Sequence, residues 1–215
     1  HRYLHSFPTR RSSDLEIAAV TSAGIIIEKE LRALSVSFYA DAYNSSVRDR
    51  ILAVPGKNTV VWMMKNLGHV VTHGLETGLD IVKTEGRIRP AAKLSYTYQR
   101  AMDKTDSQGT TWNHQIPYTP RHSASAVAWI ETPLLNVSCN MRYSGDYYCN
   151  GYNGPQYHMP SYYEFGCSIW KSFESNDIPA TVKAECINLT DHRYELVANY
   201  PMPGRQFRLI VTVDL

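Results

Sequence analysis

The side chains best suited to nucleophilic or metal chemistry in this 215-residue chain are eight His and four Cys, and none stands in a catalytic pattern. There is no GxSxG elbow, no HExxH helix and no phosphate-cradling Gly loop. His114, His158 and His192 lie in polar segments, and "YHM" (157–159) offers soft atoms to a metal. A lone loop His is ordinarily a solvated polar residue, so no catalytic residue, metal ligand or cofactor is expected. Cys139, Cys149, Cys167 and Cys186 form no CxxC pair. What remains is contact chemistry. "DKTDSQGTTWNHQ" (103–115) offers Asp103, Asp106, Trp112, Asn113 and His114, and "GDYYCNGYNGPQYHM" (145–159) offers Tyr147, Tyr148, Tyr152 and Tyr157. Aromatic and amide groups suit a large, partly polar ligand. Trp112, His114, Tyr147, Tyr148, Tyr152 and Tyr157 are therefore the candidate ligand-binding residues. The same residue types also suit an aromatic girdle or a plain surface loop.

The elements that would position them share one period, and it is two. In "QFRLIVTVDL", Phe207, Leu209, Val211, Val213 and Leu215 fall on one face, with Ile210 the exception on the other. "LLNVSCNMRYSG" sets Leu135, Val137, Cys139, Met141 and Tyr143 against Asn136, Ser138, Asn140, Arg142 and Ser144. "SYYEFGCSIWKSF", "RIRPAAKLSYTYQ" and "ALSVSFYADAYN" alternate likewise. About nine strands are predicted, over 16–27, 33–54, 59–83, 87–103, 120–132, 134–148, 161–173, 178–190 and 205–215. Short turns at 84–86, 132–133 and 174–178 alternate with long polar connections at 104–119, 149–160 and 190–204. The chain therefore reads as all-β, an antiparallel meander with short turns at one end and long loops at the other.

Two architectures carry such a pattern. A soluble β-sandwich buries its apolar faces against each other. A transmembrane β-barrel turns them to lipid and its polar faces to a wet lumen. Mid-strand Lys93 and Glu76, the long-short loop asymmetry, and Tyr98, Tyr143, Tyr147, Tyr148, Tyr162 and Tyr163 near strand ends favour the barrel. On that reading Cys139, Cys167 and Cys186 share the lipid face of three successive strands as small apolar fillers. The sandwich remains as the alternative, in the form of a secreted soluble glycan-binding protein that uses exposed Tyr and Trp.

The first fifteen residues obey neither pattern. "SFPTRRSSDL" (6–15) follows no strand period, and no apolar run of a secretory signal accompanies it. In residues 1–15 Arg2, Arg10 and Arg11 outweigh Asp14, yet beyond residue 15 the charges cancel, so no nucleic-acid partner is expected. The stretch resembles the in-frame translation of a common sequencing-adapter oligonucleotide. Residues 1–15 are accordingly expected to be non-native, with the natural N-terminal part of the protein absent.

The runs "VRDRILAVPGKNTVVWMMKNLGHVVTHGLE" (47–76), "LSYTYQRAMD" (94–103), "HQIPYTPRHSASA" (114–126) and "INLTDHRYELVANYPMPGRQFRL" (187–209) occur in a characteristic order and spacing. Through them residues 16–215 resemble the C-terminal barrel of TonB-dependent outer-membrane receptors, with the nearest likeness to cobalamin and siderophore receptors of gut-type Bacteroidota. The resemblance implies part of a barrel of about 22 strands with a plug in its lumen. It implies active uptake of a large scarce ligand, cobalamin or a ferric siderophore, energised by the TonB complex through a plug that is absent here. It also implies contact with the lipid bilayer and, through 206–215, with outer-membrane assembly machinery. The family usually ends in an aromatic residue, and Leu215 departs from that. The family motifs invite structural readings: Pro117 and Pro120 where a loop re-enters a strand, Gly204 supplying turn freedom, and Asn188 and Asp191 where a strand leaves the membrane.

Overall fold

A computed structural model describes residues 16–55, 62–175 and 178–213. Residues 1–15, the tip of the 174–178 turn, residues 59–61 and the terminal Leu215 lie outside the described residues. The elements are β1 Ile17–Leu31, β2 Leu34–Pro55, β3 Trp62–Lys83, β4 Arg89–Asp103, β5 His122–Glu131, β6 Asn136–Ser144, β7 Tyr147–Tyr148, β8 His158–Met159, β9 Tyr162–Ser175, β10 Ile178–Ile187, β11 Glu195–Val197, β12 Tyr200–Pro201 and β13 Gln206–Val213. A 3-10 turn, Pro155–Tyr157, precedes β8.

Nine of these strands form one antiparallel sheet in the order β1-β2-β3-β4-β5-β6-β9-β10-β13. Each long strand pairs with the next, so the meander and its strand number are as expected. A single sheet cannot be a sandwich: among the described residues no second sheet covers its apolar side. Two-stranded ladders β7–β8 and β11–β12 stand apart from it.

Register fixes what each face carries, because directly opposed residues share a face. One row runs Ile27, Phe38, Leu79, Leu94, Ala126, Met141, Phe165. Another runs Ile130, Val137, Ile169, Ala184, Leu209. These side chains are exposed in quantity: Ile27 is 53% accessible, Leu94 45%, Ile169 46% and Leu209 71%. Contiguous exposed apolar surface of this extent needs a non-aqueous neighbour, and lipid supplies it in a barrel wall. The opposite face carries Asp80 and Lys93 at 3.1 Å, Arg89 and Glu131 at 2.6 Å, and Glu185 between Lys183 at 2.5 Å and Arg208 at 2.7 Å. The expected division of charge from apolar groups is thus observed, with Ile210 on the polar side opposite Lys183.

Several local expectations need correction. β1 runs on to Leu31 and turns through Arg32 and Ala33, with Arg32 at φ 52°. The strand expected over 134–148 is shorter at both ends. Leu135 sits in the turn, where Thr132 Oγ1 donates to its carbonyl at 2.6 Å, so it is not a strand residue. At the other end Ser144 closes β6, and Tyr147 and Tyr148 belong to a separate ladder. β10 stops at Ile187 because Asn188 takes a left-handed φ of 52°. Of the six Tyr proposed for a girdle, Tyr98, Tyr143 and Tyr163 lie on the apolar face near the loop end. Tyr162 lies on the polar face, and Tyr147 and Tyr148 stand in the long connection between β6 and β9.

The best-buried apolar cluster is at the long-loop end of the sheet. Leu67 and Val70 of β3, Ala101 of β4 and Ile116 of the following loop are each at most 6% exposed. A barrel wall explains this: mid-strand faces look at lipid or lumen, so packing against protein concentrates where loops fold over strand ends.

Candidate functional site

The three long connections 104–121, 145–161 and 188–205 leave the same end of the sheet and are tied to each other. Asn153 is the first tie: its Oδ1 accepts the Gln115 amide at 3.0 Å and its Nδ2 donates to the Gln115 carbonyl at 3.0 Å. His114 Nδ1 stands 3.1 Å from the accepting Gly151 carbonyl, and the Tyr118 amide donates to the Tyr148 carbonyl at 2.8 Å. The third connection joins through Tyr147, whose hydroxyl donates to the Leu196 carbonyl at 3.0 Å. Gln115 Oε1 is buried with no protein partner, an acceptor that water or ligand must satisfy.

The first and third connections also have internal braces. Asp103 Oδ1 accepts the Thr105 amide and its Oδ2 accepts the Thr111 hydroxyl, folding the first loop back on β4. In the third loop Asn188 is fully buried. Its Oδ1 accepts the His192 amide at 2.9 Å, and its Nδ2 donates to the His192 and Pro203 carbonyls at 2.9 and 3.3 Å. Asp191 Oδ1 accepts the Arg205 amide at 2.8 Å across Gly204. A Cβ at Gly204 would lie 2.6 Å from that oxygen, and its φ is not left-handed. Gly204 is therefore needed for close approach and not for turn freedom as expected.

The six candidate contact residues share this loop cap but are not equivalent. Trp112 is half-buried, with Lys104 Nζ 4.7 Å from the centre of its ring. His114 is half-buried and bonded as above. Tyr147 is only 5% exposed, and its ring lies 6.1 Å from that of Tyr118. Tyr148 sits edge-on to His158 at 5.7 Å. Tyr152 is the most open, at 56%, and Tyr157 is half-buried after Pro155. His158 of the "YHM" run faces Asp146 at 3.2 Å, and among the described residues no group of three or more His, Cys, Asp or Glu is placed to hold a metal.

Sequence reasoning missed a ring ladder at the base of the third loop. Tyr163 stacks on His192 at 4.5 Å, His192 faces Tyr194 at 6.1 Å, and Tyr194 stacks on Tyr162 at 4.4 Å. Tyr194 donates its hydroxyl to Glu164 Oε2 at 2.6 Å. Tyr162 and Tyr163 point to opposite faces of β9, so the loop residues wrap the strand end. Only the "YY" and "HRY" pairings hinted at it, and they gain meaning from the register alone. Burial favours the neutral phenols of Tyr118, Tyr147 and Tyr194. Tyr147 is pushed up to about 12, first by burial and then by neighbouring phenols. Tyr118 and Cys149 are raised mainly by burial, and Tyr194 by burial and then by the Glu164 carboxylate.

Below the cap, the polar sheet face holds a concavity of about 360 Å³ whose lining includes Arg142, Glu164, Lys183, Glu185 and Arg208. It is open and charged.

Known structures share this fold. The ferric preacinetobactin receptor BauA of Acinetobacter baumannii is 18% identical with a TM-score of 0.64, matching 91% of this chain and 29% of its own. The ferric-catecholate import receptor Fiu of E. coli K12 is 16% identical with a TM-score of 0.65, over 96% of this chain and 30% of its own. The ferric citrate transporter FecA is 16% identical with a TM-score of 0.64, over 89% and 30%. The chain thus spans about three-tenths of the length of these solved proteins. No curated sequence matches it. The profile of the family described as TonB dependent receptor-like, beta-barrel matches residues 21–189, most of the chain. Together with the nine-stranded meander, the lipid-ready face and the interlocked loops, this shows that the chain belongs to the TonB-dependent receptor β-barrel family, a family of outer-membrane receptors and not of enzymes.

Proposed function

We propose that these strands are the C-terminal part of the barrel of an outer-membrane active transporter for a large, scarce ligand, a corrinoid such as cobalamin or a ferric siderophore. Uptake is energised by the TonB complex through a plug that belongs to the rest of the protein, and residues 1–15 are not part of the native sequence. Assembly machinery engages the strand at 206–215. The observation that carries the reading is the cap: three long loops from one end of the sheet are fastened to one another over a charged, open face. In that cap Trp112, His114, Tyr148, Tyr152 and Tyr157 contact the ligand, and Tyr147 fastens the second loop to the third. The ligand class is supported by BauA, a ferric preacinetobactin receptor, and FecA, a ferric citrate transporter.

The test replaces Trp112, Tyr148 and Tyr157 together with Ala in the full-length receptor. Binding and uptake of cyanocobalamin and of a panel of ferric siderophores should fall, while the amount of barrel in the outer membrane stays unchanged. Wild-type uptake of every compound that the unaltered receptor takes up would place the ligand site elsewhere.

A further inference from the structure

Three of the four cysteines stand side by side. Cys139 of β6 lies directly opposite Cys167 of β9, and Cys167 directly opposite Cys186 of β10. The two pairs differ in ladder phase, and two hydrogen bonds outside the strands reveal it. The Gly145 amide donates to the His122 carbonyl at 2.7 Å. With Ser144 opposite Ser123, that makes 145 and 122 a hydrogen-bonded pair, and alternation along the ladder does the same for Cys139 with Ala128. The backbone groups of Cys139 therefore point to β5, leaving Cys139 and Cys167 as a non-hydrogen-bonded pair. The other side agrees: the Leu189 amide donates to the Phe165 carbonyl, so Phe165 and Cys167 direct their backbone groups to β10. Cys167 and Cys186 are the hydrogen-bonded pair.

Phase decides which bridge can form. Non-hydrogen-bonded pairs bring the Cα atoms to about 4.5 Å, against about 5.5 Å for hydrogen-bonded ones, and set their side chains closer. A disulfide requires Cβ atoms at about 3.8 Å. The sulfurs follow the phase: Cys139 Sγ and Cys167 Sγ are 2.7 Å apart. The row Ala128, Cys139, Cys167, Cys186, Phe207 is on the apolar face, where thiols meet acyl chains and thiolates are disfavoured.

We propose that Cys139 and Cys167 are joined in the native protein by a cross-strand disulfide on the lipid face, formed before the barrel enters the membrane. An outer-membrane barrel crosses the periplasm, which is oxidising. There a thiol–disulfide oxidoreductase supplies the oxidant. One thiolate attacks the enzyme's disulfide and forms a mixed disulfide. The second thiolate then displaces the enzyme's sulfur. Two protons leave the cysteines, and the two electrons reduce the enzyme to its dithiol. The bridge closes a loop of chain that contains the whole 145–161 connection, one of the three parts of the cap. Insertion then shields it from reductant, and Cys186, facing lipid as a thiol, is a poor attacker.

The test uses the full-length receptor from outer membranes, lysed in N-ethylmaleimide and digested with trypsin without reductant. The 122–142 peptide should be linked to the 143–171 peptide, and the 184–193 peptide should carry maleimide on Cys186. Because 143–171 also holds Cys149, the Cys149→Ala variant must keep the link, and Cys139→Ala must abolish it. Recovery of 122–142 as a free maleimide adduct from the wild type overturns the proposal. So does a link between 143–171 and 184–193. The wild-type map decides even if a variant fails to assemble, and it reads no ligand, so it stands or falls separately from the transport reading.

Discussion

Gly74 lies directly across the β2–β3 ladder from Tyr43, and the phenol ring covers the place where a Cβ at position 74 would stand. Tyr39 covers Gly78 two pleat repeats further on. Aromatic cover over a strand glycine protects an otherwise bare stretch of backbone. A methyl group at 74 must push the ring aside. Because the obstructing atoms are the far end of a side chain, Gly74→Ala should lower stability by less than about 1 kcal/mol, the displaced ring being offset in part by the loss of strand-glycine entropy, read as the denaturant midpoint of the full-length receptor in detergent. Adding Tyr43→Ala to Gly74→Ala should cost less than the two changes summed. An additive result would mean that the ring moves freely.

That pair also marks how far the sequence could be read. Gly74 belongs to the "NLGHVVTHGLE" run by which the chain resembled its family, yet its reason, a tyrosine about thirty positions earlier, is visible only in the register. Period-two alternation identified the nine strands and both faces because a barrel wall keeps one period along each strand. Strand ends were less legible. β10 ends where Asn188 turns left-handed and β6 ends at Ser144, before the chain enters the separate β7–β8 ladder, and alternation carries no sign of either. The loop site was least legible of all. Composition picked out the aromatic residues, but Tyr147 differs from Tyr148 only by which neighbour buries it.

The two faces make different demands on charge. Val127 and Ala128 are neighbours on β5: Val127 pairs with Lys93 on the polar face, and Ala128 with Ala92 on the apolar one. Ala128→Arg should cost about 2–4 kcal/mol in bilayer, the range for a lipid-facing arginine near the midplane, and Val127→Arg much less. Unfolding of the full-length receptor from lipid vesicles gives both values. Equal costs would contradict a lipid–lumen division of this sheet.

Tyr147 gives the cap an alkaline limit. Its phenol titrates at about 12 in the folded protein against about 10 when unfolded. A raised pKa means the neutral form is favoured by folding. The stabilisation is complete below pH about 10 and is lost as pH rises from about 10 to about 12. Wild-type stability should therefore decline through that window, with tyrosinate absorbance appearing in step. Tyr147→Phe should lower stability at neutral pH, because the Leu196 carbonyl loses its donor, and should decline less steeply through the same window. An unchanged alkaline slope in Tyr147→Phe would assign the decline to other tyrosines.

Asn188 does two jobs at the point where β10 ends, and two substitutions separate them. Its backbone holds φ 52°, a region that Asn and Gly tolerate and Ala does not. Its buried amide satisfies the His192 amide and two carbonyls. Asn188→Gly keeps the backbone freedom and removes the hydrogen bonds, each unsatisfied buried group costing about 1–3 kcal/mol. Asn188→Ala removes the bonds and adds left-handed strain of about 1–2 kcal/mol. Both should speed proteolysis within 188–205 of the intact receptor, the Ala variant more than the Gly variant, while the strands stay protected. If the Asn188→Gly protein resists protease as the wild type does, the bonds to His192 and Pro203 do not hold the loop, and the stacked rings of Tyr163, His192, Tyr194 and Tyr162 must.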